Sequence, residues 1–331
     1  MYAPLLTEER GNTFDLARYG YICIVDENSN VLYSAGDPED FVFYRSASKP
    51  IQSLPVFQMG LNKKFGITEE EATVLSASHA GMPCHVKAIE SIMKKADLSE
   101  DMLIMNPACP ADEKSNEERI LAGIPKRKVY HNCSGKHCAL MMVQRELGGD
   151  IGDYWKVGSL VHNKVEDTMK TMSEAKEVKI GIDGCGVPVF AVGIKNIAIG
   201  FKNLACLDTI KDDSLIEAAA GNVDRIMKYP HMIRGSGFMC TIMNEDPNII
   251  AKGGANGVYG FGLKKQRLGV SFKLVDGTES SWPFIAIEIL RALGALTPDH
   301  EKRLEALHPK YFINDNGIVV GERKSLVNIS I

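Results

Sequence analysis

The sequence predicts an α/β protein of the α+β kind: an antiparallel sheet built from both ends of the chain and flanked by helices, plus a mainly helical subdomain. Three observations predict it. Short apolar runs bounded by turn residues fall at 19–44 and again at 248–275. Apolar residues at three- and four-residue spacing fill the middle of the chain. Strand and helix do not alternate, which makes an antiparallel sheet the better fit than a doubly wound one. The predicted division is 1–55 with 176–331 as the sheet domain and 56–175 as the helical subdomain, with an active site expected between them.

The elements follow in order. Tyr19 to Val25, a polar turn at Asp26–Asn30, and Val31 to Ser34 read as a hairpin; Phe41 to Tyr44 is a third apolar run. Val86, Ile89, Ile92 and Met93 share one helical face, and Lys136–Leu147 and Ile151–Met172 read similarly. Leu207 to Met227 predicts a long amphipathic helix with Leu215, Ala219, Val223 and Ile226 inward. Asn248–Lys252, Val258–Leu263 and Leu268–Val275 return to strands. Ser281 and Pro283 then open a helix running to Leu293, whose segment Pro283–Leu290 is apolar almost all round and so expected to lie buried against a sheet.

Composition bounds the function. At 331 residues, with 45% hydrophobic and 24% charged, the chain is ordinary for a protein with a full core. A net charge of −4 argues against nucleic acid or an anionic membrane as the partner. No run has the length to span a bilayer, and Met1–Asn12, with Glu8, Glu9 and Arg10, lacks a signal-peptide pattern, so a cytoplasmic location is expected. The eight cysteines show no repeating spacing and read as reduced thiols, most of them small core residues.

The chemistry begins at Arg45-Ser46-Ala47-Ser48-Lys49-Pro50. Residues three apart share a helix face, so Ser46 and Lys49 are within reach of each other. A lysine kept neutral by burial and nearby positive charge takes a proton from a serine hydroxyl. The spacing alone is common: on the order of one Ser-x-x-Lys arises by chance in such a chain. Two more occur, at Ser91/Lys94 and Ser173/Lys176, both in or beside amphipathic helices. Ser46 differs because it follows an apolar strand and precedes Pro50, which pins a helix start there. A nucleophile and a plain helix start are both open readings at this point. Ser78 and His79, in Ser76-Ala-Ser-His-Ala-Gly-Met-Pro83, likewise read either as site residues or as a helix cap and a turn residue. Lys252-Gly253-Gly254-Ala255 ends a strand with two residues that let a backbone approach a ligand; the Ala255 and Ser46 N–H groups could form an oxyanion hole. A glycine hairpin with a surface lysine is the alternative.

Together these segments resemble the asparaginase II family, the rhizobial-type (Class 3) L-asparaginases. Six stretches carry the resemblance in order: Arg45–Gln52, Ser78–Pro83, Asn132-Cys-Ser-Gly-Lys-His137, Asp183-Gly-Cys-Gly-Val-Pro188, Lys252–Tyr259 and Lys273-Leu-Val-Asp-Gly277. The resemblance implies a fold like the serine β-lactamases and penicillin-binding proteins. It implies two serine–lysine pairs, Ser46 with Lys49 and Ser78 with Lys252. It implies a homodimer and a zinc site at Cys133, Lys136 and Cys185. Substrate-binding roles go with it for Arg45, His79, Asp183, Gly254 and Ala255, with Asp183 near the amino-acid end of the substrate. The implied reaction is hydrolysis of L-asparagine to L-aspartate and ammonia through an acyl-enzyme on Ser46. By spacing alone, a metal site using Cys133, His137 and Cys138 is also conceivable.

Two positions depart from the family pattern. Phe238 stands where the family's Gly-Thr-Gly-Arg run has arginine, and Asn256 replaces the carboxylate of Gly-Ala-Glu-Gly. The pair reads either as an ion pair exchanged as a unit or as a changed substrate. Three functions are therefore carried forward: an L-asparaginase; an amidase for another small amide such as L-glutamine; and a non-catalytic zinc- or amino-acid-binding protein. The retention of two serines and two lysines speaks against the third.

Overall fold

A computed structural model describes residues 1–331. Eleven strands follow in chain order: β1 Ala3–Arg10, β2 Thr13–Val25, β3 Val31–Ala35, β4 Phe41–Phe43, β5 Lys179–Ile182, β6 Pro188–Gly193, β7 Ile249–Gly253, β8 Val258–Leu263, β9 Leu268–Leu274, β10 Tyr311–Ile313 and β11 Val319–Ser325. The chain divides into two compact units. The first comprises 1–47, 192–209 and 248–331, and the second 48–191 and 210–247. These limits differ from the sequence division at 55 and 176: the β5–β6 hairpin and the helix Asp213–Lys228 group with the helical unit.

The first unit is an antiparallel sheet in the order β10-β11-β1-β2-β9-β8-β7, with β3 also paired to β2. The hairpins β7–β8 and β8–β9 keep continuous registers, Ala251 opposite Phe261 and Gly260 opposite Ser271. The strands read from the sequence at 248–275 stand where expected, within a residue or so at each end. β1, β10 and β11 were not anticipated. β1 and β11 carry charged side chains that pair across their ladder: Glu8 pairs with Arg323 at 3.0 Å and Glu9 with Lys324 at 2.6 Å. The helix Ile194–Ala205 covers one face. It comes so close that a Cβ on Gly269 would sit 2.0 Å from the Ala198 carbonyl oxygen, and Ser271 Oγ donates to Ile194 O at 2.8 Å. Tyr259 stacks on Phe272 and meets Trp282, the first residue of the helix Trp282–Ala292. That helix is buried over most of its surface, as its apolar sequence requires.

The second unit is helical. Its central helix, Ser134–Glu146, is buried from Ser134 to Gln144. Two of its helices start later than the apolar spacing suggests. The run from Leu207 is a 3₁₀ turn, and the α-helix begins at Asp213, where Asp212 caps the Ser214 N–H. The run from Ile151 is likewise a short turn, and the helix begins at Leu160 behind the Ser159 cap. Thr68 and Glu71 form a reciprocal capping box at the helix Glu69–Thr73. No helix is long and apolar enough to cross a membrane.

Candidate active site

Ser46 and Lys49 lie in a 3₁₀ turn, Arg45–Ser48, that runs directly into the helix Lys49–Gln52 with Pro50 in its first turn. Arg45 enters that turn with φ +49°, a left-handed conformation uncommon outside glycine. Ser46 belongs to the sheet unit and Lys49 to the helical unit, while Ser78 is in the helical unit and Lys252 in the sheet unit. Each implied serine–lysine pair thus has one member in each.

Within the helical unit, Lys49 is fully buried. Its Nζ donates to Ala77 O at 2.7 Å, to Ser78 Oγ at 3.0 Å and to Asn132 O at 3.2 Å. Burial lowers its pKa, the Lys136 charge adds to the effect, and the Cys133 sulfur opposes it. A polar network anchors its helix: Ser53 Oγ meets Ser76 Oγ at 2.6 Å, Ser76 Oγ donates to Asn222 Oδ1, and Asn222 Nδ2 donates to Pro50 O at 2.8 Å. These groups are buried and mutually satisfied, which fixes the lysine's starting point.

Ser78 lies on an extended segment gripped by residues 233 and 234. Its N–H donates to Ile233 O at 3.0 Å, Ala80 N–H donates to Arg234 O at 2.7 Å, and Arg234 Nη1 donates to Ser78 O at 2.8 Å. His79 is committed to the protein at both ring nitrogens. Gly81 N–H donates to Nδ1, so Nε2 carries the proton and donates to Ser134 Oγ at 2.9 Å, which donates on to Val129 O. Burial, with the His85 and Lys49 charges, holds His79 well below its ordinary range and neutral. What His79 supplies is therefore the position of its loop and of Ser134, with no ring nitrogen to spare.

Cys133, Lys136 and Cys185 come together. Gly135 makes this possible: a Cβ there would lie 2.3 Å from the Val74 carbonyl oxygen, so the helix start carrying Cys133 and Lys136 packs directly on the turn before Ser78. Cys185 sits in the turn between β5 and β6, where Gly186 N–H donates to Asp183 O at 2.9 Å. Lys136 Nζ donates to Cys185 Sγ at 3.3 Å. The neighbouring Cys185 thiol, with the Lys49 and Lys136 charges, outweighs burial and holds Cys133 well below the usual thiol range. Burial opposes the charge on Lys136, but the two sulfurs and the Asp183 carboxylate push it up to about 12. Two sulfurs and an amine nitrogen suit zinc in an open site. No three His, Cys, Asp or Glu side chains converge on a point that could hold a metal. A zinc ion here would need Lys136 as a deprotonated ligand. His137 faces Tyr154, its Nδ1 2.8 Å from the phenolic oxygen, and Cys138 is buried with its pKa raised to about 12 by desolvation.

Within the sheet unit, Lys252 is buried at the end of β7, its Nζ donating to Gly253 O at 2.7 Å. Gly254 N–H closes the hairpin on Val258 O at 2.8 Å, and Ala255 is the first residue beyond that bond. A Cβ on Gly254 would stand 3.0 Å from Tyr44 O and 3.2 Å from the Ala47 nitrogen, so the strand end lies against the turn that carries Arg45 and Ser46. Asn256 has φ +56°, a conformation asparagine tolerates far better than glutamate. Its carbonyl accepts from Lys273, whose pKa is lowered by burial and by the Arg45 charge.

Arg234 lies in the stretch His231–Phe238 that departs from the family pattern, and spacing alone does not mark it as a site residue. The signal was present: an arginine stands four residues before the position where the family carries one.

Residues 6–325 match the model of the family described as L-asparaginase II, which makes the protein an amidohydrolase in class. The chain belongs to the L-asparaginase II family. Among solved structures it is similar to a β-lactamase from Mycobacterium bovis, at 15% identity over 83% of this chain and 94% of that one, with a TM-score of 0.45. It is similar to a Bacillus glutaminase at 11% identity, over 83% and 91% of the two chains, with a TM-score of 0.38. A class C β-lactamase from Rhodobacter sphaeroides matches at 10% identity, over 87% and 93%, with a TM-score of 0.40. No curated protein matches the chain.

Proposed function

We propose that the protein is an L-asparaginase that hydrolyses the side-chain amide of L-asparagine by double displacement. One observation carries this reading: in a member of the L-asparaginase II family, a fully buried lysine of lowered pKa donates to a serine hydroxyl at 3.0 Å, in the motif that also holds Ser46. As the amine, Lys49 takes the proton of Ser46, three residues before it, and Ser46 attacks the amide carbon. Ser78 passes a proton from Lys49 toward the leaving ammonia, with Lys252 assisting. The Ser46 and Ala255 N–H groups hold the developing oxyanion. Water then cleaves the acyl-enzyme, and the same groups act in reverse.

Arg45 and Asp183 orient the amino-acid end of the substrate, and Gly254 lets the backbone come close to it. Cys133, Lys136 and Cys185 would hold a zinc ion there, which would supply Lewis-acid polarisation for that end. A small-molecule substrate, a cytoplasmic location and a homodimer complete the reading.

Ammonia release from L-asparagine, with L-glutamine in parallel, tests it. Ser46→Ala is expected to abolish release while remaining folded; wild-type turnover in that variant would remove Ser46 from the role. A second reading, an amidase for a different small amide, is favoured by the Arg234–Phe238 contact that occupies the family's arginine position. Silence on both amides from folded protein would select it.

A further inference from the structure

We propose that Arg234 recognises the carboxylate of the substrate and so sets the preference of the Ser78 region for amides that bear one. This rests on the amide-hydrolase reading above. Arg234 is half-buried and has two partners in the protein: its Nη1 donates to Ser78 O at 2.8 Å, and its guanidinium lies over the Phe238 ring, 4.9 Å from the centroid. A guanidinium carries five N–H donors, and no carboxylate of the chain forms an ion pair with this one. The nearby titratable groups do not compensate it. Lys49 lies across Ser78, and His79 and His85 are held neutral, with the Arg234 charge contributing at both. Asp112 spends its carboxylate on Ser115, and Glu70 stands 3.2 Å from His231. A half-buried cation left without an anion beside the serine that contacts Lys49 is a place for the substrate's own negative charge.

The local sequence supports the same reading. Gly235, Ser236 and Gly237 separate the arginine from its aromatic shelf, and Ser236 and Gly237 are exposed. A guanidinium held over an aromatic ring, as Arg234 is over Phe238, presents its N–H groups at its edge. An arginine at 238 would set two guanidinium groups against each other. The cation and the aromatic residue at 234 and 238 therefore act as one unit.

The test compares L-asparagine with β-alaninamide, the same amide without its α-carboxylate, in the wild type, Arg234→Gln and Arg234→Lys. Loss of a charged hydrogen bond is expected to lower the asparagine to β-alaninamide ratio of kcat/KM by about 10- to 100-fold in Arg234→Gln, chiefly through KM for asparagine, with partial recovery in Arg234→Lys. Equal losses on both amides would assign Arg234 to holding Ser78 alone and overturn the proposal, as would an unchanged ratio. Phe238→Leu keeps the Ser78 contact, and its expected smaller rise in KM for asparagine carries the test if Arg234→Gln does not fold; no rise would then overturn it. Should the wild type release ammonia from neither amide, the asparaginase reading fails, and calorimetric binding of succinamate decides the question of Arg234. Binding by the wild type that weakens tenfold or more in the variant supports the role, whereas equal binding, or none, overturns it.

Discussion

Lys49 Nζ lies 3.0 Å from Ser78 Oγ, and the carbonyls of Ala77 and Asn132 accept hydrogen bonds from it as well. Every hydrogen of the ammonium has an acceptor, so losing any one leaves a defined vacancy and not a general loosening. Lys49→Met is expected to remain folded and to lose amide hydrolysis entirely. Ser78→Ala should lose about 10²- to 10⁴-fold in kcat, the range of a missing proton-transfer partner. Steady-state kinetics on both variants checks this, and a Ser78→Ala enzyme with wild-type kcat would exclude Ser78 from the proton path.

Zinc content by metal analysis should be lost in Cys133→Ser and Cys185→Ser. Chelation of the wild type is expected to raise KM more than it lowers the unfolding midpoint. Unfolding on chelation would make the ion structural. Because Lys136 must be deprotonated to act as a ligand, zinc affinity should rise with pH.

Gly135→Ala places a methyl group against the Val74 carbonyl, which is backbone and gives way poorly. The expected cost is about 1–3 kcal/mol in denaturant unfolding. Activity should fall as well, since the same contact sets Cys133 and Lys136 against the turn before Ser78.

Acid should destabilise the protein through buried histidines. Burial pushes His85 and His308 down to about 4 and His162 down to about 3. The unfolded chain, near 6.5, binds protons that the folded chain refuses. This contribution is therefore complete above pH 6.5 and is lost as pH falls toward 4 and then 3. Glu71 acts in the same direction: burial raises its pKa, but Lys95, Ser91 and Thr68 outweigh that and bring it down to about 2. Its share is present above pH 4.5 and is lost below. Unfolding midpoints measured from pH 7 to 3 check the slope, and His162→Leu should flatten it.

The strands from Ile249 to Leu274 and the helix Trp282–Ala292 were legible because glycine turns, proline and apolar runs mark them in the sequence. β1 and β11 were not, because strands that carry charged pairs such as Glu8–Arg323 read locally as polar segments. Ser46 and Lys49 stood out by spacing and context, and Cys133 and Lys136 through the resemblance to the family. The Lys49–Ser78 bond did not, since nothing local links a helix start to a turn 29 residues on. Arg234 was hidden for a similar reason: its partners, Ser78 O and the Phe238 ring, exist only once two separate segments are side by side.

The register Leu6 opposite Ser325 has a consequence for synthesis on the ribosome. β1 and β2 emerge first, yet β9 and β11, which pair with them, emerge among the last. The helical unit is complete once Pro247 is out. The nascent chain therefore carries the early β1–β2–β3 ladder with the edges that β9 and β11 will fill still open through most of its translation, while the helices assemble. Truncation near Ser325 would spare the helical unit and strike the sheet at its oldest part.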